Sequence, residues 1–209
     1  MSLFVTFEGI EGSGKSTHLR LLAQALRTTG HAVVETREPG GTALGKALRD
    51  LLLTPSGTPP EPLAELLLYC ADRAQHVAQV IRPALAAGQI VLCDRFSDST
   101  LAYQGYARRL DLDTVRALDA AARAGLEPDL TFLLDCPPDA GLARARARSG
   151  SSDRFEQEAL AFHEAVQRGF HALAATRPDR YRIIDTVPPA AEVAGRIRAE
   201  TLRALGARS

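Results

Sequence analysis

Short apolar runs alternate with longer amphipathic ones along this chain. The run Leu3–Glu8 is nearly continuous in β-branched and aromatic residues, the pattern of a strand covered on both faces. Ser16–Thr28 then sets Leu19, Leu22, Ala23 and Leu26 on one face at helical spacing, with Gly30 just past the end. Further strands are expected at Ala32–Thr36, Ile90–Cys93, Leu130–Leu134 and Tyr181–Ile184. Helices are expected at Glu61–Ala87, Thr114–Ala124, Phe155–Ala175 and Ala190–Leu205. Within the first of these, Leu63, Leu66, Leu67, Cys70, Ala74, Val77 and Ile81 read as the core stripe. Strands separated by helices need crossover connections, which predicts a parallel five-stranded sheet with helices on both faces. No repeat or low-complexity linker interrupts the pattern, so residues 1–209 are expected to form a single α/β domain.

Composition narrows the function classes. The 25 Lys+Arg residues balance 25 Asp+Glu, which speaks against a protein that coats nucleic acid or an anionic membrane. Among the cations only Lys15 and Lys46 are lysines. Asn is absent, so the Asn-Lys-x-Asp motif by which GTPases read guanine cannot occur. The first residues lack the basic start and long apolar stretch of a signal peptide, and no apolar run approaches the ~18 residues of a membrane span. Cys70, Cys93 and Cys136 are far apart within apolar runs and read as free thiols; a reducing cytoplasm is the expected location.

Gly9-Ile10-Glu11-Gly12-Ser13-Gly14-Lys15-Ser16 matches G-x-x-x-x-G-K-[S/T] between an expected strand and an expected helix. The pattern predicts a P-loop NTPase-type fold. Glycines let successive backbone N–H groups turn toward phosphate oxygens, and the following helix adds its positive end, where Thr17 also lies. Lys15 would reach the β- and γ-phosphates of ATP, and the Ser16 hydroxyl would ligate Mg²⁺. Ile90-Val91-Leu92-Cys93-Asp94 is a second buried strand ending in a carboxylate, the expected partner of Ser16 on the magnesium side. On the long helix Tyr69 and Arg73 stand four residues apart, so a ring and a guanidinium share one face and could hold a base. On the residues alone, a nucleotide kinase and an ATP-binding regulatory module both remain open.

Three further segments bear on that choice: Thr36-Arg37-Glu38-Pro39-Gly40-Gly41-Thr42, the run from Asp94-Arg95-Phe96 to Ala102-Tyr103-Gln104, and Arg144-Ala145-Arg146-Ala147-Arg148 leading to Asp153-Arg154-Phe155-Glu156. With the P-loop they closely resemble the thymidylate kinases of bacteria, over Phe7 to about Glu156 and again weakly at Ile184-Asp185-Thr186. The resemblance implies transfer of the γ-phosphoryl of ATP to dTMP, and a homodimer. It implies that Tyr69 and Arg73 stack on thymine and contact its edge, with Ser99, Thr100 and Gln104 nearby. Tyr103 would pack where a 2′-hydroxyl falls. Arg37 and Arg95 would grip the acceptor phosphate, and Glu11 would accept from the 3′-hydroxyl. Phe96 stands where the family often has Tyr or His. The P-loop carries no arginine, which resembles the type whose catalytic arginines lie in a lid, here about 144–156. A helix there would put Arg144 and Arg148 on one face, with Arg148 at the phosphates. Another nucleoside monophosphate kinase or a deoxynucleoside kinase is the alternative within the enzyme class.

Overall fold

The computed structural model describes residues 2–55, 58–148 and 153–207. The chain runs β1 (Leu3–Glu8), α1 (Lys15–Thr28), β2 (Val33–Arg37), α2 (Ala43–Leu53), α3 (Pro62–His76), a π-helical turn (Val77–Ile81) and α4 (Arg82–Ala86). It continues through β3 (Ile90–Asp94), α5 (Ser97–Thr100), a second π-helical segment (Leu101–Ala107), α6 (Leu112–Arg123) and β4 (Leu130–Asp135). α7 (Pro138–Arg148), α8 (Leu160–Thr176), β5 (Tyr181–Asp185) and α9 (Ala190–Gly206) complete it. All five expected strands are present, each within a residue of its expected ends, in one parallel sheet ordered β2-β3-β1-β4-β5.

Every residue of the central strand β1 is buried. On one side Leu3, Val5 and Phe7 pack with Leu19, Leu22, Ala23 and Leu26 of α1 and with Val193 and Ile197 of α9. On the other, Phe4 meets Phe96 edge-on at 5.0 Å, beside Val77, Ile81 and Ala84. Each buried leucine or phenylalanine contributes about 1.5–3 kcal/mol. Because β1 is central, the loop leaving it opens at the carboxyl edge between β3 and β4, where open α/β sheets bind ligands.

The long helix differs from expectation in two ways. Its middle widens into the Val77–Ile81 π turn, where the Arg82 N–H donates to the Val77 carbonyl. Pro83 follows directly, and a wider turn accommodates a ring that has no N–H and would otherwise crowd the preceding carbonyls. The expected stripe is also split. Leu66, Cys70, Val77 and Ile81 are buried, but Leu63 and Leu67 are 51% and 47% exposed and Ala74 is exposed too. α3 turns a polar face inward instead, burying Glu65, Asp72, Arg73 and His76.

Two boundaries also move. Residues 155–159 are turn and not helix; the Asp153 side chain accepts from the Glu156 N–H at 2.9 Å, and α8 starts only at Leu160. α2, absent from the expected elements, is capped by the Thr42 hydroxyl, which accepts from the Gly45 N–H at 2.9 Å.

Candidate active site

The loop after β1 curls through Gly12 and Gly14, at φ +70° and +92°, values that favour glycine. A Cβ on Gly12 would collide with the carbonyl of Gly141 at the start of α7, so the two backbones touch directly. Lys15 opens α1 and folds back, its Nζ donating to the carbonyls of Gly9 at 3.0 Å and Ile10 at 2.7 Å and to Ser13 Oγ at 3.4 Å. Burial, reinforced by Arg95, lowers the Lys15 amine to about 8. Ser16 Oγ donates to the Asp94 carboxylate across the gap between α1 and β3, whose registers align Phe7 with Asp94. Ser16 and Asp94 offer only oxygen donors beside the P-loop, the hard donor set that suits Mg²⁺ when phosphate oxygens and waters complete the shell. Among the described residues no cluster of three or more His, Cys, Asp or Glu side chains could hold a metal ion.

Beside the P-loop stands a second constellation. Arg95 follows β3 at φ +70°, a left-handed conformation costing a non-glycine residue roughly 1–2 kcal/mol. Its guanidinium holds the turn in place, donating to Gly9 O at 2.9 Å, Ser99 Oγ at 3.1 Å, Glu11 Oε1 at 2.8 Å and the Tyr103 hydroxyl at 3.0 Å. Glu8 fixes the same turn from below, accepting from the Phe96 N–H at 2.8 Å and Ser99 Oγ at 2.6 Å. Burial and the neighbouring Asp98 push the Glu8 carboxyl up to about 8. Glu11 Oε1 also accepts from the Tyr103 hydroxyl at 2.6 Å, and Oε2 lies 3.1 Å from His163 Nδ1. Burial opposes ionisation of Glu11, but Arg95, His163, Lys15 and Tyr103 together hold it well below the usual carboxylate range.

The far end of the cleft is polar and buried. Arg73, on the helix face it shares with Tyr69, is 1% exposed. Its Nε donates to Glu38 Oε2 at 2.9 Å, and its Nη1 to Thr100 Oγ1 at 2.9 Å and Asp119 Oδ1 at 2.7 Å, with the guanidinium 5.2 Å from the Phe96 ring centre. Glu38 also pairs with His76 Nδ1 at 2.8 Å. Asp72, on the next position of α3, accepts from the Gly40 N–H at 3.2 Å; burial, then Glu38, raises its carboxyl to about 6. Tyr69 is half-buried, and burial pushes its hydroxyl upward.

These groups line one cleft, walled by Lys15, Ser16, Arg37, Tyr69, Arg73 and Asp94 with Arg95, Ser99, Thr100, Tyr103 and Gln104. Nearly all the expected residues therefore meet. Ile10 turns its side chain into the core and offers its carbonyl, and Thr17 lies exposed on α1 away from the cleft wall. Arg144 donates to the Thr186 carbonyl at 3.3 Å and is not in the cleft wall. Arg148 ends α7 as expected of a helix, but its side chain and residues 149–152 lie outside the described part. Sequence reasoning missed Glu38, Arg49 and Phe155, which line the cleft, Glu65, which accepts from Gln104, and His163, which contacts Glu11. Glu38 sits inside a quoted motif and could have been found; His163 carries no local signal at all.

The chain is similar to known proteins over most of its length. A family model described as thymidylate kinase matches residues 7–197. The thymidylate kinase of a Synechococcus strain is 60% identical over 195 residues, covering 93% of this chain and 92% of that one. That of Geobacter sulfurreducens is 54% identical over 190 residues, covering 88% and 89%. The solved structure of the Ehrlichia chaffeensis thymidylate kinase superposes with a TM-score of 0.78 at 35% identity, covering 98% of each chain.

Proposed function

The chain belongs to the thymidylate kinase family, and we infer on that premise that its cleft transfers the γ-phosphoryl of ATP to dTMP, releasing ADP and dTDP. One observation supports this most: Glu11, a P-loop residue, is bonded to Arg95 and Tyr103 of the second constellation, so donor and acceptor ends share one frame.

The acceptor phosphate is ionised and nucleophilic, so no general base is needed. Catalysis is then alignment and neutralisation of charge on the transferring group. The P-loop N–H groups and Lys15 would hold the donor phosphates, with Gly9, Gly12, Ser13 and Gly14 shaping the loop. Lys15 already spends its three protons on Gly9, Ile10 and Ser13, so nucleotide must displace at least one of those contacts. Ser16 and Asp94 would hold Mg²⁺, which supplies neutralisation of phosphate charge when bound. Arg37 and Arg95 would take the acceptor phosphate, and Glu11 the 3′-hydroxyl. Tyr69 and Arg73 would take the thymine face and edge, with Ser99, Thr100 and Gln104 around them. Tyr103, anchored to Glu11, would leave no room for a 2′-hydroxyl. Arg148 would act from the lid, and Arg144 would have to leave the Thr186 carbonyl to reach the ATP; an arginine in that role is worth ~10³–10⁵ in rate, or about 4–7 kcal/mol of barrier.

Leu44 and Leu51 on α2 and Leu63 and Leu67 on α3 are exposed on two helices that pack together, which supports the homodimer. Among the described residues no helix is long and apolar enough to cross a membrane. We place the enzyme in the cytoplasm, as one kinase domain. The deciding experiment is ADP release with ATP and Mg²⁺ across a panel of acceptors. ADP should appear with dTMP and almost not at all without acceptor. Release with thymidine or with dAMP, dGMP or dCMP instead would establish another kinase, and no release a regulatory module.

A further inference from the structure

Glu65 lies on α3 one turn before Tyr69 and is completely buried. A carboxylate there must be fully partnered or it costs several kcal/mol. Its Oε1 accepts from Gln104 Nε2 at 2.7 Å and Arg108 Nε at 3.4 Å, and its Oε2 from Arg154 Nη2 at 2.5 Å. Both arginines are held from behind. Arg154 donates its Nε to Leu52 O at 2.9 Å and its backbone N–H to Leu53 O at 3.0 Å, the last carbonyls of α2, where a cation is favoured. Its guanidinium stands 4.6 Å from the Phe155 ring centre. Arg108 pairs with Glu158 at 2.6 Å and stands 4.7 Å from the Phe162 ring centre. The carboxylate cannot turn without breaking a cation contact on one side or the other.

A carboxylate in this setting accepts and does not donate, and that sorts the two ends of the Gln104 amide. The N–H₂ end is drawn to Glu65, which leaves the carbonyl oxygen as the acceptor for the cleft that Gln104 lines. Thr100 Oγ1 already accepts from Arg73, so its O–H remains to donate. A base at this wall therefore meets one group of fixed identity, the Gln104 carbonyl acceptor, beside a hydroxyl free to donate. An imide edge, a ring N–H beside a carbonyl oxygen, satisfies both. In the same register an amidine edge sets a bare ring nitrogen against the Gln104 acceptor.

We propose that Glu65 is a positioning residue for base selection: by fixing the orientation of the Gln104 amide it makes the acceptor site take imide pyrimidine monophosphates and turn away the cytosine one. The proposal rests on the dTMP reading of the cleft, which the ADP-release assay on the unaltered enzyme tests separately. Glu65→Gln supplies an amide that can itself donate to Gln104 and so lets that side chain turn over. Glu65→Asp keeps the charge toward Arg108 and Arg154 and withdraws it by one methylene. Dissociation constants for dTMP and dCMP are measured by calorimetry on each folded variant. The preference for dTMP over dCMP should fall about ten- to a hundred-fold in Glu65→Gln and at least about five-fold in Glu65→Asp. Equal weakening of both ligands would assign Glu65 a structural role alone and overturn the proposal. So would a parental ratio in folded Glu65→Gln, or in Glu65→Asp should the first variant not fold.

Discussion

Arg73 is the residue whose replacement tests the polar floor of the cleft most directly. Its guanidinium is 1% exposed and makes ion pairs with Glu38 at 2.9 Å and Asp119 at 2.7 Å, themselves 2% and 4% exposed. Arg73→Met keeps much of the volume but removes the cation, leaving Glu38 with His76 and Asp119 with Ser97 and Arg123. Breaking a buried pair in this way costs about 3–5 kcal/mol, far more than the pair itself contributes, because the carboxylates left behind cannot rehydrate. For a chain of this size each kcal/mol moves the melting temperature by about 2–4 °C, so the midpoint should fall by about 6–20 °C. Adding Glu38→Gln removes one of the stranded charges. The double variant should therefore recover a substantial part of the loss, giving a strongly non-additive cycle in thermal or denaturant unfolding. A solvated arginine at the helix edge would cost less than about 0.5 kcal/mol. A midpoint shift under about 2 °C, or an additive cycle, would refute the buried-network reasoning.

Arg148→Ala should lower kcat at least ~10²-fold in the ADP-release assay while dTMP affinity by calorimetry changes little; turnover near the parental rate removes the lid assignment. Tyr103→Phe deletes the hydroxyl between Glu11 and Arg95, a charge-assisted pair worth about 1.5–3 kcal/mol, so kcat/KM for dTMP should fall about 10- to 100-fold. Because the ring stays, preference for the deoxyribose over the ribose substrate should persist, and its loss would contradict the packing role. Asp72 is raised from 3.8 to about 6 in the folded state, so the stability it contributes is complete below pH 3.8 and lost as pH rises through 6. Asp72→Asn should therefore gain stability relative to the parent between pH 4 and pH 8, read from denaturant midpoints; a pH-independent difference would count against it.

The strands and α1 were legible because each is specified by its own few residues: an apolar run such as Ile90–Cys93, or leucines at helical spacing after the P-loop. The P-loop was legible for the same reason, as a local string. α3 misled because helical spacing predicts a stripe but not which stripe faces inward. Leu63 and Leu67 look outward because Glu65, Asp72, Arg73 and His76 take the buried face, with Tyr69 and Arg73 in the cleft wall. The π segments lie beyond a pattern of period 3.6, although Pro83 marks one of them. Glu65 and His163 escaped because their meaning comes from partners far along the chain: Arg154 for Glu65, and Glu11 for His163. Residue type and spacing carry no trace of such pairings.

The meeting of Gly12 with Gly141 has a mechanical consequence. The phosphate loop meets the first turn of α7 backbone to backbone, and a Cβ on Gly141 would in turn press on the Glu11 carbonyl at 2.6 Å and on the Ile10 side chain at 3.1 Å. The helix that carries Arg144 and Arg148 is thus seated by its first turn directly on the loop expected to grip ATP. A shift of that loop on nucleotide binding would press on α7 at once, so the donor site and the arginine-bearing helix share one contact.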